Sequence, residues 1–130
     1  GEDEKAYFER LFAITDFLVV ERVNNQLLLM KGKDISLGNY NMALDSLRNL
    51  TPPEKMAEAH KKIISAIDDQ IKYFVLLDST KGKFNSMHPF VQTSNASLIS
   101  AYTTMVAEFS DEDARNVYSF EKHLCALDFI

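Results

Sequence analysis

The sequence predicts an all-α fold, an up-and-down bundle of four helices with the last helix broken near residues 110–113. Three observations predict it. Apolar residues recur at three- and four-residue steps over long stretches, the pattern of helices with a buried face. Glycine and proline are sparse, four and three in 130 residues, too few for the many turns of a sandwich or barrel. Helix start and stop signals divide the chain into segments joined by short connections, which favour antiparallel neighbours. A chain of this length buries one core, and residues 1–130 read as a single helical-bundle domain.

The first helix runs from Asp3 to about Met30. One apolar row is Tyr7, Leu11, Ile14 and Leu18; a second is Phe8, Phe12, Val19, Val23, Leu27 and Met30. Glu9, Arg10, Asp16, Glu21, Arg22 and Asn25 are left for the other side. The early carboxylates suit the positive end of the helix dipole, and Lys31-Gly32 supplies a cationic last turn and a left-handed cap. Asp34 or Ser36 can cap a second helix over Leu37–Leu50, with Met42, Ala43, Leu44, Leu47 and Leu50 inward. Thr51-Pro52-Pro53-Glu54 reads as a capping box, with Thr51 as N-cap and Pro52 at the first helical position.

The third helix then extends to about Asp78, with Met56, His60, Ile63, Ile67, Ile71 and Phe74 on one stripe. Residues 79–90 form the longest break. A fourth helix begins near Gln92 or Thr93 and carries Leu98, Ala101, Tyr102, Met105, Val106 and Phe109. Continued to Leu127 it would reach about 50 Å, against about 40 Å for the third helix. The run Ser110-Asp111-Glu112-Asp113 offers a cap and acids for a break, followed by a last segment burying Val117, Tyr118, Leu124 and Leu127.

The composition excludes several function classes. A net charge of −5 with no clustered Lys or Arg gives no surface for phosphates, so nucleic acid is not an expected partner. The apolar runs Phe17–Val20 and Leu27–Met30 are far below a transmembrane span. One cysteine, Cys125, allows neither an internal disulfide nor a Cys-x-x-Cys metal site. No Glu-x-x-His pair supports a di-iron centre: Glu58 and Glu121 each stand two residues before a histidine, on diverging sides of a helix. Neither a nucleophile elbow nor a glycine-rich phosphate loop is present. The chain reads as a non-enzyme, and no cofactor or metal is assigned to it.

Within this frame His60 is the residue of most interest. It is in step with Met56, Ile63 and Ile67 and should point into the core. There it could hold a haem, a metal or an apolar small molecule, with Met56 and Tyr102 as companions. Alternatively it is a packing histidine, satisfied by a helix end or a tyrosine. Phe8, Phe12, Phe17, Phe74 and Phe109 could line an apolar pocket or simply fill the core. Cys125 reads as a small buried hydrophobe and His88 as solvated. Asn49-Leu50-Thr51 and Asn95-Ala96-Ser97 match the glycosylation pattern. Phe84, Met87, His88 and Phe90 place apolar groups in the long connection, either as a lid over one bundle end or as a contact surface.

Leu44, Leu47, Leu50, Thr51-Pro52-Pro53, His60 and Ala66 resemble a pattern in helical-bundle domains of uncharacterised exported bacterial lipoproteins. In those domains a leucine-bearing helix meets a Pro-Pro cap, and a histidine stands on the helix that follows. The resemblance spans residues 44–67 and implies an extracytoplasmic bundle, periplasmic or at the cell envelope, without an assigned activity. The chain opens on Gly1 rather than Met, followed by Glu2, Asp3 and Glu4, which reads as a tag remnant on a trimmed chain, and a signal sequence could be the piece removed. The function expected is a non-enzymatic interaction or scaffold domain with a protein partner. The alternative is the ligand-binding bundle centred on His60.

Overall fold

The structure, a computed structural model, describes residues 2–109 and 114–129, with side chains for all of these except residues 2 and 114–119. Among the described residues the chain is all-helical. It forms α1 (Glu2–Met30), α2 (Gly38–Asn49), a 3₁₀ turn (Glu54–Met56), α3 (Ala57–Thr80), α4 (Pro89–Phe109) and α5 (Ala114–Leu127). The described residues thus hold five helices, with α4 and α5 standing where the sequence expects a fourth helix and, beyond its break, a last segment. Residues 110–113, where the sequence places the break, lie outside the described residues.

Cross-helix contacts fix the directions. Glu21 meets Asn39, and the groove beside Tyr7 and Arg10 is closed by Asn49 and Leu50, so α2 runs back along α1. Tyr40 meets Gln70 while Leu47 meets His60, which sets α3 against α2. Gln70 meets Ser94, and Tyr73 stacks on His88, so α4 descends along α3. Phe109 packs on Phe120 and Asn95 bonds Asp128, so α5 reverses again and lies along α4. Phe8 beside Phe120, Asp16 beside His123 and Arg22 beside Ala126 bring α5 parallel to α1 and close a ring of helices around one core.

Local chemistry explains the helix ends. Gly32 adopts φ +68. The Gly32 N–H reaches the Leu29 carbonyl at 3.0 Å and the Lys33 N–H reaches the Leu28 carbonyl at 2.9 Å, the paired bonds of a left-handed cap. At the end of α3 the same role falls to Lys81, φ 52, with the Gly82 N–H on the Leu77 carbonyl. The α2 N-cap is Leu37, without a side-chain bond, rather than Asp34 or Ser36.

The capping box at Thr51 does not form. Pro53 forbids helical angles at Pro52, so residues 51–53 stay extended and helical structure starts at Glu54 as a 3₁₀ turn. Proline at the first helical position appears instead in α4, which begins at Pro89, earlier than Gln92. There the His88 Nδ1 accepts the Phe90 N–H at 3.1 Å, so the imidazole caps α4 rather than lying free in solvent.

Two aromatic groups fill the ends of the core. Phe8, Phe12, Phe109 and Phe120 join α1, α4 and α5. Tyr40, Tyr73, Phe74, Phe84 and Phe129 join α2, α3, the long connection and the residue beyond α5. Of the five phenylalanines that could line a pocket or fill the core, Phe8, Phe74 and Phe109 are buried in these groups and Phe12 packs against the core, while Phe17 is exposed. Among the described residues no helix is long and apolar enough to cross a membrane.

Candidate functional site

His60 stands in the first turn of α3 and uses both ring nitrogens. Nε2 lies 2.7 Å from the Leu47 carbonyl, which can only accept, so Nε2 carries the proton. Nδ1 is then the lone-pair nitrogen and accepts the Tyr7 hydroxyl at 2.7 Å. Leu47 is in the last turn of α2, where its carbonyl also accepts a long bond from the Leu50 N–H at 3.3 Å. One neutral imidazole thus clamps α1 and α2 to α3. Burial holds His60 below its ordinary value of 6.5, with the Leu47 contact opposing, and burial pushes the Tyr7 hydroxyl upward.

A metal or haem iron would have to displace one of these bonds. Met56 is buried one turn before His60, whereas Tyr102 is half-buried on α4 beside Leu98, Leu124 and Cys125. The tyrosine at His60 is Tyr7, not Tyr102. A groove of about 1010 Å³ lies outside Tyr7, lined by Arg10, Asn49, Thr51, Pro52 and Pro53, and reaches the partner of His60 without reaching the imidazole. Among the described residues no three His, Cys, Asp or Glu side chains gather as a metal site.

The long connection folds back as a cover. Phe84 rests on Tyr73 and Phe129, His88 stacks on Tyr73 at 4.7 Å, and Phe90 packs against the core. Met87 points outward, 73% exposed. A cavity of about 560 Å³ opens beside this cover, between Leu29 and Met30 of α1 and Leu77, Lys81 and Phe84.

The most connected polar residue, Gln70, was missed in the sequence. It is fully buried at the middle of α3. Its Oε1 accepts the Tyr40 hydroxyl, and its Nε2 donates to the Leu127 carbonyl at 2.9 Å and to Ser94 Oγ at 3.2 Å. The carbonyl fixes which way the amide points, because only an N–H can face it. Gln70 falls in step with Ile63, Ile67, Phe74 and Leu77, so its place on the buried stripe was a usable signal. Nearby, Arg22 donates to Gln26 at 2.6 Å and to the Ala126 carbonyl at 2.8 Å, and Asn95 donates to Asp128 at 2.5 Å. Desolvation lowers the Arg22 guanidinium, opposed by Tyr40 and Asp128.

This polar layer turns the second half of α1 inside out. The expected polar residues Arg22 and Asn25 face inward, with Asn25 only 2% exposed, while Val23, Leu27 and Met30 of the expected inner row face outward. With Phe17 and Val20 they make an exposed apolar stripe, and Met42 of α2 flanks it beside Phe17. A helix that is apolar on its outer side normally has something covering it.

The remaining sequence candidates are structural. His123 stacks on Phe12 at 4.0 Å and bonds Asp16 at 2.6 Å. Cys125 is exposed rather than buried, and desolvation together with Glu121 and Asp128 raises its thiol, which disfavours the reactive thiolate. Asn95 spends its amide on Asp128. Fold and sites together define a class, an all-helical domain with a buried polar layer and an apolar outer face. Compared with known proteins, the chain matches no family model, no curated protein and no solved structure.

Proposed function

We propose that this chain is a non-catalytic interaction domain, an up-and-down bundle in which α5 closes the ring, and that it docks through the outer side of α1. The observation that supports this reading is the inversion of α1. Five large apolar residues from Phe17 to Met30 are exposed on one helix face while Arg22 and Asn25 are turned inward. Exposed apolar surface loses free energy to water at about 25 cal/mol per Å² relative to burial, so a covering partner is favoured. The polar residues that could serve chemistry are spent on holding helices together: His60 on Tyr7 and Leu47, Gln70 on Tyr40, Ser94 and Leu127. Extracytoplasmic placement, which the resemblance implies, belongs to this reading and is tested by fractionating cells that make the native protein.

The test is site-specific photo-crosslinking in those cells. A crosslinker at Val23 should capture a partner, and one at the exposed Lys61 on α3 should not. Capture from Val23 should disappear when Val20 and Leu27 are both replaced by Glu in a chain whose circular dichroism is unchanged. Equal capture from both positions, or capture indifferent to the substitutions, would sink the reading.

A further inference from the structure

We infer that the partner of the α1 stripe is a second copy of this chain, paired antiparallel. The inference rests on the interaction reading above and names its occupant. Ala13, Val20 and Leu27 recur every seven residues along the centre of the outer face, all exposed. Phe17 and Asn24 flank them on one side, Val23 and Met30 on the other, which is the spacing of a helix-pairing seam.

Charge decides the occupant and the direction. The stripe is bracketed by Asp16 at its N-terminal end, whose Oδ1 meets His123 of the same chain while the side chain stays 58% exposed, and by the exposed Lys31, followed by Lys33, at its C-terminal end. Centring two antiparallel stripes on each other sets Val20 against Leu27 and, on the flank the two-fold axis preserves, Asn24 against Asn24. The same register brings each Asp16 to the other copy's Lys31. A parallel pair would set Asp16 on Asp16 and Lys31 on Lys31. Glu9 and Arg10, further out, cancel each other. A helix whose two ends carry opposite charge is its own complement under a two-fold axis. One helix face of about 20 Å covers less than the usual stable interface, so the pair is expected to be weak and to respond to concentration and salt.

The experiment uses the full chain with Cys125→Ser. Sedimentation over a wide concentration range should show reversible dimerisation, weakened by salt. Leu27→Glu, at an exposed position, should weaken it about tenfold or more. Disulfide trapping then reads the direction without disturbing charge. Asn24→Cys, near the proposed axis, should couple with itself. Val20→Cys and Leu27→Cys, level with each other on the centre line, should each fail alone and couple when mixed. Self-coupling of Leu27→Cys, a dimer indifferent to Leu27→Glu, or a monomer at every concentration would overturn self-pairing. If the monomeric chain still captures another protein through Val23, self-pairing fails while the interaction reading stands; if it captures nothing, both fail.

Discussion

His60 and Gln70 stand ten residues apart on α3 and do the same mechanical work. Each takes a tyrosine hydroxyl from a neighbouring helix, Tyr7 or Tyr40, and each caps a carbonyl at the end of another, Leu47 or Leu127. They differ in two respects. Gln70 adds a third partner, Ser94, so it binds α2, α4 and the end of α5 together, whereas His60 joins only α1 and α2. An amide also has no proton to gain near neutral pH, whereas an imidazole does. The comparison teaches that one bundle can use equivalent clamps of which only one senses pH.

The largest effect is expected at Gln70. Gln70→Met keeps most of the volume but strands the Tyr40 hydroxyl and the Leu127 carbonyl in a dry core, at a cost of about 3 kcal/mol. Chemical denaturation should show this loss to be the same at pH 5 and pH 8. A loss under about 1 kcal/mol would mean that the network is not held as described.

His60 should behave differently with pH. Its folded-state value lies below the ordinary 6.5 because burial disfavours the imidazolium. As pH falls below 6.5, the unfolded chain takes a proton that the folded chain refuses. Stability contributed by this group is therefore complete above 6.5, declines as pH drops toward the folded value, and levels off beneath it, with a slope of at most about 1.4 kcal/mol per pH unit. Subtracting the profile of His60→Gln from that of the wild type isolates this term, and a flat difference from pH 7 to 5 would refute it.

The two tyrosines provide a closer test. Tyr40→Phe leaves Gln70 Oε1 without a donor, and Tyr7→Phe does the same to His60 Nδ1; each should cost about 1–2 kcal/mol. Only Tyr7→Phe should alter the His60 titration, which NMR of the imidazole would follow. Ser94→Ala should be mildest, about 0.5–1 kcal/mol, since Gln70 Nε2 keeps its shorter bond to Leu127. If thermal melts instead rank Ser94→Ala above Tyr40→Phe, the hydroxyl and not the carbonyl organises the amide.

Much of the fold was legible because its determinants are local. The Gly32 cap of α1 and the Leu44–Leu47 face of α2 follow from residues close in sequence. His60 was correctly placed inward, and both partners have the expected chemistry, a helix end and a tyrosine. The failures share a cause of longer range. In the second half of α1, Val20, Val23 and Leu27 share one side and Glu21, Arg22, Asn25 and Gln26 the other, so periodicity alone chooses the apolar side for the core, whereas the structure exposes it. Arg22 is drawn inward by the Ala126 carbonyl, 104 residues away. The start of α3 was misplaced for a local reason, because the second proline of Pro52-Pro53 overrides the capping role of the first.

The ring has a consequence in time. Its closing contacts, Arg22 to Ala126 and Asp16 to His123, join the first and last helices across more than a hundred residues. During synthesis α3 and α4 can form their hairpin early, but Gln70 lacks the Leu127 carbonyl and α1 lacks its α5 neighbour until α5 has emerged. Loop closure of this length is slow to be rewarded. The early hairpin therefore waits with its polar centre unfilled, and pulse-labelled hydrogen exchange during refolding should protect α3 and α4 before α1. A helix made late, α5, thus fixes the orientation of one made early, α1.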